Sequence, residues 1–467
     1  MTPEWGSLPL LPLRCVLEHL RPEEALAAMS TCRHWRNAIL LYEGHKDTLK
    51  IRAKQIKKAM FLSRIFRRYT RKLHVYLDGT EDEIEKLMTL VLPQYFDTVK
   101  LQELLFVGPS YIQQNHNVPF IKLKRILTES LFFKNIHCIE TFALLGCKLD
   151  VANEDEKDIH EHIEYYSRGL LFSHNTIMSA VNLDIPGFSS TLRHIIIDYS
   201  QLSTSCLLAL APLRALQHLT MNITNKRGGL PQIDWLSVQH VCATPLQVSL
   251  NIISVPYRRF NDIMNHVLVE GIHLVSLKVL FCKSIYTPLL SHVSRLYQES
   301  LQELVWADIP YDSCDPYHRI VRPMNMRQTQ SDHYAHVNPF VLLCWQCIHL
   351  RRLAIHGYWM WQYDLLGFVR LRKTLTELEV SSIYKKQGQF DDELQMSEEG
   401  IVRVMTGDGY QPLDPATVDE VNEYTEFKWQ PTPWSSLHPG LRARSSAAAR
   451  NHYLLHELHR PLGVTLY

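Results

Sequence analysis

Leu274-Val-Ser-Leu-Lys-Val-Leu280, Leu301-Gln-Glu-Leu-Val-Trp-Ala307 and Leu350-Arg-Arg-Leu-Ala-Ile-His356 share one form, Leu-x-x-apolar-x-apolar or a near variant. Four more segments repeat it: Leu192-Arg-His-Ile-Ile-Ile-Asp198, Leu216-Gln-His-Leu-Thr-Met-Asn222, Leu246-Gln-Val-Ser-Leu-Asn-Ile252 and Leu375-Thr-Glu-Leu-Glu-Val-Ser381. Successive starts lie 24, 30, 28, 27, 49 and 25 residues apart. Leu73-His-Val-Tyr-Leu77, Leu101-Gln-Glu-Leu-Leu-Phe106 and Ile139-Glu-Thr-Phe-Ala-Leu144 are weaker copies. A strand alternates its side chains, so each copy turns one apolar face to one side. One copy cannot bury that face alone, whereas stacked copies bury it continuously.

Helix-like stretches lie between the copies. Thr287 to Tyr297 places Leu289, Leu290, Val293, Leu296 and Tyr297 on one helical face. Asn338-Pro339 supplies an N-cap and a proline at the first helical position. Strand then helix at this period predicts an α/β leucine-rich-repeat-like solenoid with a parallel sheet on its concave side. The copies are degenerate, and an irregular βα fold outside that class is the alternative. Residues 308–337 account for the 49-residue interval and read as one long polar loop.

Composition narrows the function classes. Lys and Arg number 49 against 48 Asp and Glu, a formal net charge of +1. That balance argues against a chain-wide nucleic-acid or membrane-surface role. No apolar run approaches the roughly 20 residues of a membrane span. Leu8 to Leu13 is interrupted by Pro9 and Pro12 with no cationic segment before it, so a secretory signal is not expected. The expected location is cytoplasmic or nuclear, with the ten cysteines kept as thiols.

At the N-terminus, Leu13, Val16, Leu17 and Leu20 form a helical apolar stripe. Pro22, Glu23 and Glu24 then suit the first turn of a second helix. A third helix is expected from Cys32, giving a small three-helix unit. Leu8, Pro9, Leu13, Val16, Leu17, Leu20, Pro22, Cys32, Arg33 and Trp35 match the F-box motif in type and spacing, and the stretch resembles an F-box. Leu11 departs, since the family usually has Glu there, and Ala25 stands where Leu is common. The degenerate repeats and Leu350 to Tyr358 further resemble the F-box-only family, its members thirty-three and thirty-nine in particular.

That resemblance implies a non-catalytic adaptor. Its F-box would dock on the Skp adaptor of an SCF-type cullin-RING ubiquitin ligase, and the region behind it would select a protein substrate. The ten matching residues are then the adaptor-binding set, with Leu13 and Trp35 as the expected anchors. Alternation along the strands puts Arg193, Gln217, His218, Gln302, Glu303 and Arg351 on the concave face as candidate substrate contacts. The expected organisation is an F-box at 5–50, a basic connecting helix at 51–72, a repeat domain at 73–383 and a C-terminal cap or flexible tail at 384–467, with a short helix at Ala447–His459. The segment from Lys50 to Lys72 holds ten Lys or Arg and no acid, with Ile51, Ile56, Phe61, Ile65 and Tyr69 at helical spacing. A scaffold acting without the cullin, or an RNA-associated protein using that segment, are the rival readings.

Enzyme and metal signals are weak, so neither catalytic residues nor a cofactor is expected. Cys344-Trp-Gln-Cys347 lacks a second pair for zinc and reads as two core cysteines. His160-Glu-His162 lies in an acidic run, and His333 and His336 near Asp332 are an isolated pair. Gly228-Gly229 lacks the Lys-Ser or Lys-Thr of a phosphate loop.

Overall fold

The computed structural model describes residues 5–20, 22–41, 48–95, 101–112, 121–123, 131, 135, 137–149, 191–210, 213–225, 229–242, 245–283, 285–309, 338–358, 360–381, 383–386, 401–404, 413, 415–432, 436–442 and 445–459. The expected loop at 308–337 falls outside them beyond Ile309, as do His160, His162, Asp332, His333 and His336. The chain divides into two compact units, residues 1–109 with 120–194 and residues 110–119 with 195–467.

The first unit opens with three helices, α1 (Leu10–His19), α2 (Pro22–Met29) and α3 (Arg33–Leu41). Four parallel strands follow, β1 (Thr48–Arg52), β2 (Lys72–Tyr76), β3 (Glu103–Val107) and β4 (Thr141–Leu145), paired in that order. The basic segment is therefore not helical from residue 51. Leu49 and Ile51 are buried and alternate with exposed Lys50 and Arg52, which is strand periodicity. Only Ile56–Phe66, helix α4, continues as an α-helix. Its buried stripe is Ala59, Leu62, Ser63 and Phe66, whereas Phe61 and Tyr69 face solvent.

The second unit holds β5 (His194–Asp198), β6 (His218–Thr224), β7 (Gln247–Ile253), β8 (His273–Leu280), β9 (Glu303–Ala307), β10 (Arg352–His356) and β11 (Glu377–Val380), side by side in sequence order. Every resolved pairing among them is parallel. Each of the seven motif segments carries one strand. This is an α/β solenoid-like arrangement, and its crossovers are short helices such as Phe260–His266, Thr287–Leu296 and Pro339–Gln346.

The two faces of this sheet differ in chemistry. The register Leu250↔Leu277↔Leu304↔Leu353↔Leu378 runs an apolar row across five strands. Beside it lies an aromatic cluster: Trp306 sits 6.5 Å from Phe260 and 5.9 Å from Phe340, ring centre to ring centre. The register Asn222↔Asn251↔Lys278 and Ser276↔Glu303↔Arg352↔Glu377 makes the opposite face polar. Turns after the strands are tightly drawn. Gly357 has φ +82°, and a Cβ there would lie 2.3 Å from the Asp308 carbonyl oxygen, so only glycine fits.

Trp306 is one of the largest fully buried side chains of this unit and the centre of its aromatic cluster. Trp306→Ala is expected to cost about 3–5 kcal/mol, read as a lower urea midpoint at unchanged m-value. A loss below about 1 kcal/mol would show that the aromatic cluster does not organise the unit.

Candidate functional site

Two surfaces answer to the expected roles. The first belongs to the N-terminal module. Leu13 and Leu17 of α1 are fully enclosed, with Met29, Ala38 and Ile39 from α2 and α3 also buried. Leu13 is thus a core residue, not the free anchor expected, because the helical stripe that made it conspicuous is the stripe that closes the module. Trp35 is half-buried, and its indole N–H donates to the Trp5 carbonyl at 2.8 Å. His34 Nε2 sits 2.6 Å from the Leu8 carbonyl oxygen. Those two contacts tie the Leu-Pro segment to α3, and the Trp35 backbone N–H is met by Cys32 Sγ at 3.4 Å.

Of the other expected contacts, Leu8, Val16, Leu20 and Cys32 are half-buried while Pro9 and Arg33 are exposed. Pro22 begins α2, and its side chain lies outside the described set. The open apolar surface is elsewhere: Leu11 is 77% exposed, Trp5 60% and Leu10 55%. Three large apolar side chains exposed within seven residues are apolar surface of the kind that protein interfaces use. Leu10 and Leu11 were legible as residues off the Leu13/Leu17 face of α1, and Trp5 carried no periodic signal.

The second surface is the polar face of the second unit. Helix Ala447–His459 lies on it with Asn451, Tyr453, Leu454, Glu457 and Leu458 buried. Lys278 Nζ donates to Glu457 Oε2 at 3.1 Å and to the Glu457 carbonyl oxygen at 2.7 Å. That carbonyl belongs to the last turn, which has no intrahelical donor, so Lys278 caps the helix and its charge suits the negative end of the dipole. Arg352 donates through Nη1 to Glu303 Oε1 at 2.6 Å and to Glu457 Oε2 at 3.1 Å. Through Nη2 it reaches Glu457 Oε1 at 3.2 Å and Glu379 Oε1 at 2.9 Å. Ser276 Oγ donates to Glu303 Oε2 at 2.6 Å.

Burial and charge compete here, and charge prevails. Glu457 is 2% exposed, Lys278 4% and Arg352 7%. Burial alone would raise the Glu457 carboxyl, but Lys278, the His456 hydrogen bond and Arg352 hold it well below the usual carboxylate range. Burial likewise works against Glu303, and Lys278 with Arg352 outweighs it. Burial would lower Arg352, yet Glu457, Glu379 and Glu303 keep it well above its ordinary value. Glu457, Glu303 and Arg352 therefore stay charged at neutral pH.

The expected substrate contacts divide. Gln217 and Arg351 are exposed, and Gln302 is half-exposed, each one residue before its strand. Glu303 is buried in the ion cluster, so it is a partner of Arg352 and not a free contact. His218 is half-buried, and burial lowers its imidazole. In the first unit, Arg193 lines a cleft of about 350 Å³ with Arg71, Gln102, His137, Cys138, Glu140 and Thr191. Lys278 and Arg352 were missed, though each was signalled by a charge inside an apolar strand motif. Cys344 and Cys347 are buried, and burial pushes the Cys347 thiol up to about 12. Among the described residues no three His, Cys, Asp or Glu side chains group as metal ligands, and none of the described helices is long and apolar enough to cross a membrane.

Residues 5–45 match the F-box domain, so the N-terminal module is an F-box domain. Human F-box only protein 33 is 46% identical over 59 residues, 12% of this chain and 11% of that protein. The mouse F-box only protein 33 is 41% identical over 54 residues, 12% of this chain and 9% of that protein. The matched stretch is thus about a tenth of the relatives' own length.

A histidine pair beside the ion cluster sets a pH response. Gly440 N–H donates to His438 Nδ1 at 3.0 Å, which leaves the ring proton of neutral His438 on Nε2, 2.9 Å from His452 Nδ1. Burial, then His452, His456 and Arg442, lowers His438 to about 4, with Glu457 opposing. A lowered histidine contributes stability at neutral pH that is lost as pH falls from about 6.5 towards 4. NMR titration is expected to show His438 titrating near 4 and amide protection of residues 447–459 falling over the same range. A His438 midpoint near 6.5 would show the pair to be solvated.

Proposed function

We propose that the chain is the substrate-recognition subunit of an SCF-type cullin-RING ubiquitin ligase. The F-box docks on the Skp adaptor, and the leucine-rich-repeat-like second unit holds a target protein. The observation that carries the reading is the exposed Trp5, Leu10 and Leu11 surface on a module whose own core is closed by Leu13 and Leu17. An exposed helix edge bearing leucines suits helix-in-groove recognition by a helical adaptor. The chain has no chemistry to perform in this role. It holds the target beside a ubiquitin-conjugating enzyme, so that transfer becomes effectively intramolecular. Its place of action is the cytosol or nucleus.

The test is co-purification of the full chain with the Skp adaptor, beside Leu10→Asp/Leu11→Asp. These positions are exposed, so the variant keeps the fold of the module. The wild type is expected to form an equimolar complex. Burying two leucines contributes about 3–6 kcal/mol, so the variant is expected to bind at least a hundredfold more weakly at unchanged circular dichroism. A wild-type chain that does not bind the adaptor, or a variant that binds equally well, refutes the reading.

A further inference from the structure

We propose that the polar sheet face around Lys278 and Arg352 is a docking groove for a glutamate-bearing helix of a partner protein, which helix Ala447–His459 occupies in cis until it is displaced. The inference deepens the substrate-receptor reading and rests on it for the fate of the partner. The helix itself reports what the groove accepts: Leu454, Glu457 and Leu458 are its buried residues around the ion cluster. The recognised segment therefore has the form Leu-x-x-Glu-Leu on one helical face, with its carboxylate between two fixed cations.

Two observations mark the helix as an exchangeable occupant. Its central contact is ionic. A buried ion pair gives selectivity in return for desolvation and adds little net hold compared with apolar packing. Its fit is also incomplete. Asn222 Nδ2 and Asn251 Oδ1 on the sheet and Asn451 Oδ1 on the helix are buried without a hydrogen-bond partner, although Asn251 Nδ2 donates to Asn222 Oδ1 at 2.8 Å. Each such atom forgoes a hydrogen bond in the closed arrangement. A partner segment that supplies those hydrogen bonds competes at an advantage.

The test uses the full chain and a fluorescent peptide with the sequence of residues 445–459, followed by anisotropy. In the Glu457→Lys chain the substituted helix meets Lys278 and Arg352 with like charge and leaves the groove. That chain is expected to bind the peptide at least tenfold more tightly than the wild-type chain does. A peptide carrying Glu457→Lys is expected to bind neither chain. If Glu457→Lys abolishes the folded circular dichroism, the near-isosteric Glu457→Gln chain takes its place with the same expectation. Equal binding of the two peptides, or no binding to the released chain, overturns the groove. A wild-type chain that is dimeric at the working concentration, with its helices exchanged between copies, overturns the partner assignment. Skp-adaptor co-purification run on the same Glu457 variants separates the two readings. Lost adaptor binding with peptide binding intact sinks only the receptor reading, and the reverse sinks only the groove.

Discussion

A carboxylate clasped between a lysine and an arginine governs the second unit. Lys278 on β8 and Arg352 on β10 project from the same face of a parallel sheet, and β9 between them supplies only one carboxylate, Glu303. Glu377 and Glu379 of β11 add two more carboxylates to Arg352, and Glu457 is the carboxylate that reaches both cations from outside the sheet. Placing it there requires the helix that carries it, and that helix requires the segment that leads to it. Trp429 fixes part of this route by donating its indole N–H to the Leu378 carbonyl of β11 at 3.0 Å. Much of the described chain beyond the last strand is thereby organised by a demand that arises inside the repeats.

The repeats make that demand because a solenoid has two kinds of sheet face. The face towards the helices takes Leu, Ile, Val and Trp and is satisfied by packing alone. The other face carries a register row of polar residues, Thr220, Ser249, Ser276, Glu303 and Arg352, all of which are buried. Polar groups removed from water need partners, and side-chain partners specify position where apolar ones do not. The F-box module shows the opposite economy. Its core is apolar and closed, its surplus is also apolar, and that surplus stays on the surface at Trp5, Leu10 and Leu11.

The strands were legible because a period of two interrupted by a leucine cannot be satisfied by a helix. In five of seven copies the strand opens two residues after the first leucine of the motif. Strand β1 was hidden because Thr48 to Arg52 offers only two apolar residues inside a basic run, and charge drew attention from alternation. The F-box was legible from ten positions, and of its two expected anchors Leu13 is enclosed and closes the core while Trp35 is half-buried. The ion cluster was out of reach for another reason. Arg352 and Glu457 are 105 residues apart, Lys278 and Glu457 are 179 apart, and no local pattern links them.

Chemistry, more than area, separates the two candidate surfaces. An apolar patch such as Trp5, Leu10 and Leu11 gains from association in proportion to the surface it removes from water, with little dependence on the exact partner geometry. That suits a constant partner. A buried ionic groove gains little from area and loses heavily to any segment that fails to present a carboxylate at the right depth. That suits choosing among many segments. A receptor needs both properties on different surfaces, one indifferent to the target and one exacting about it. In the proposed role, the F-box patch serves the first need and the Lys278–Arg352 face the second. A groove lined with paired charges also cannot stand empty cheaply, so an occupant of its own that mimics the ligand is the physically economical way to keep it formed.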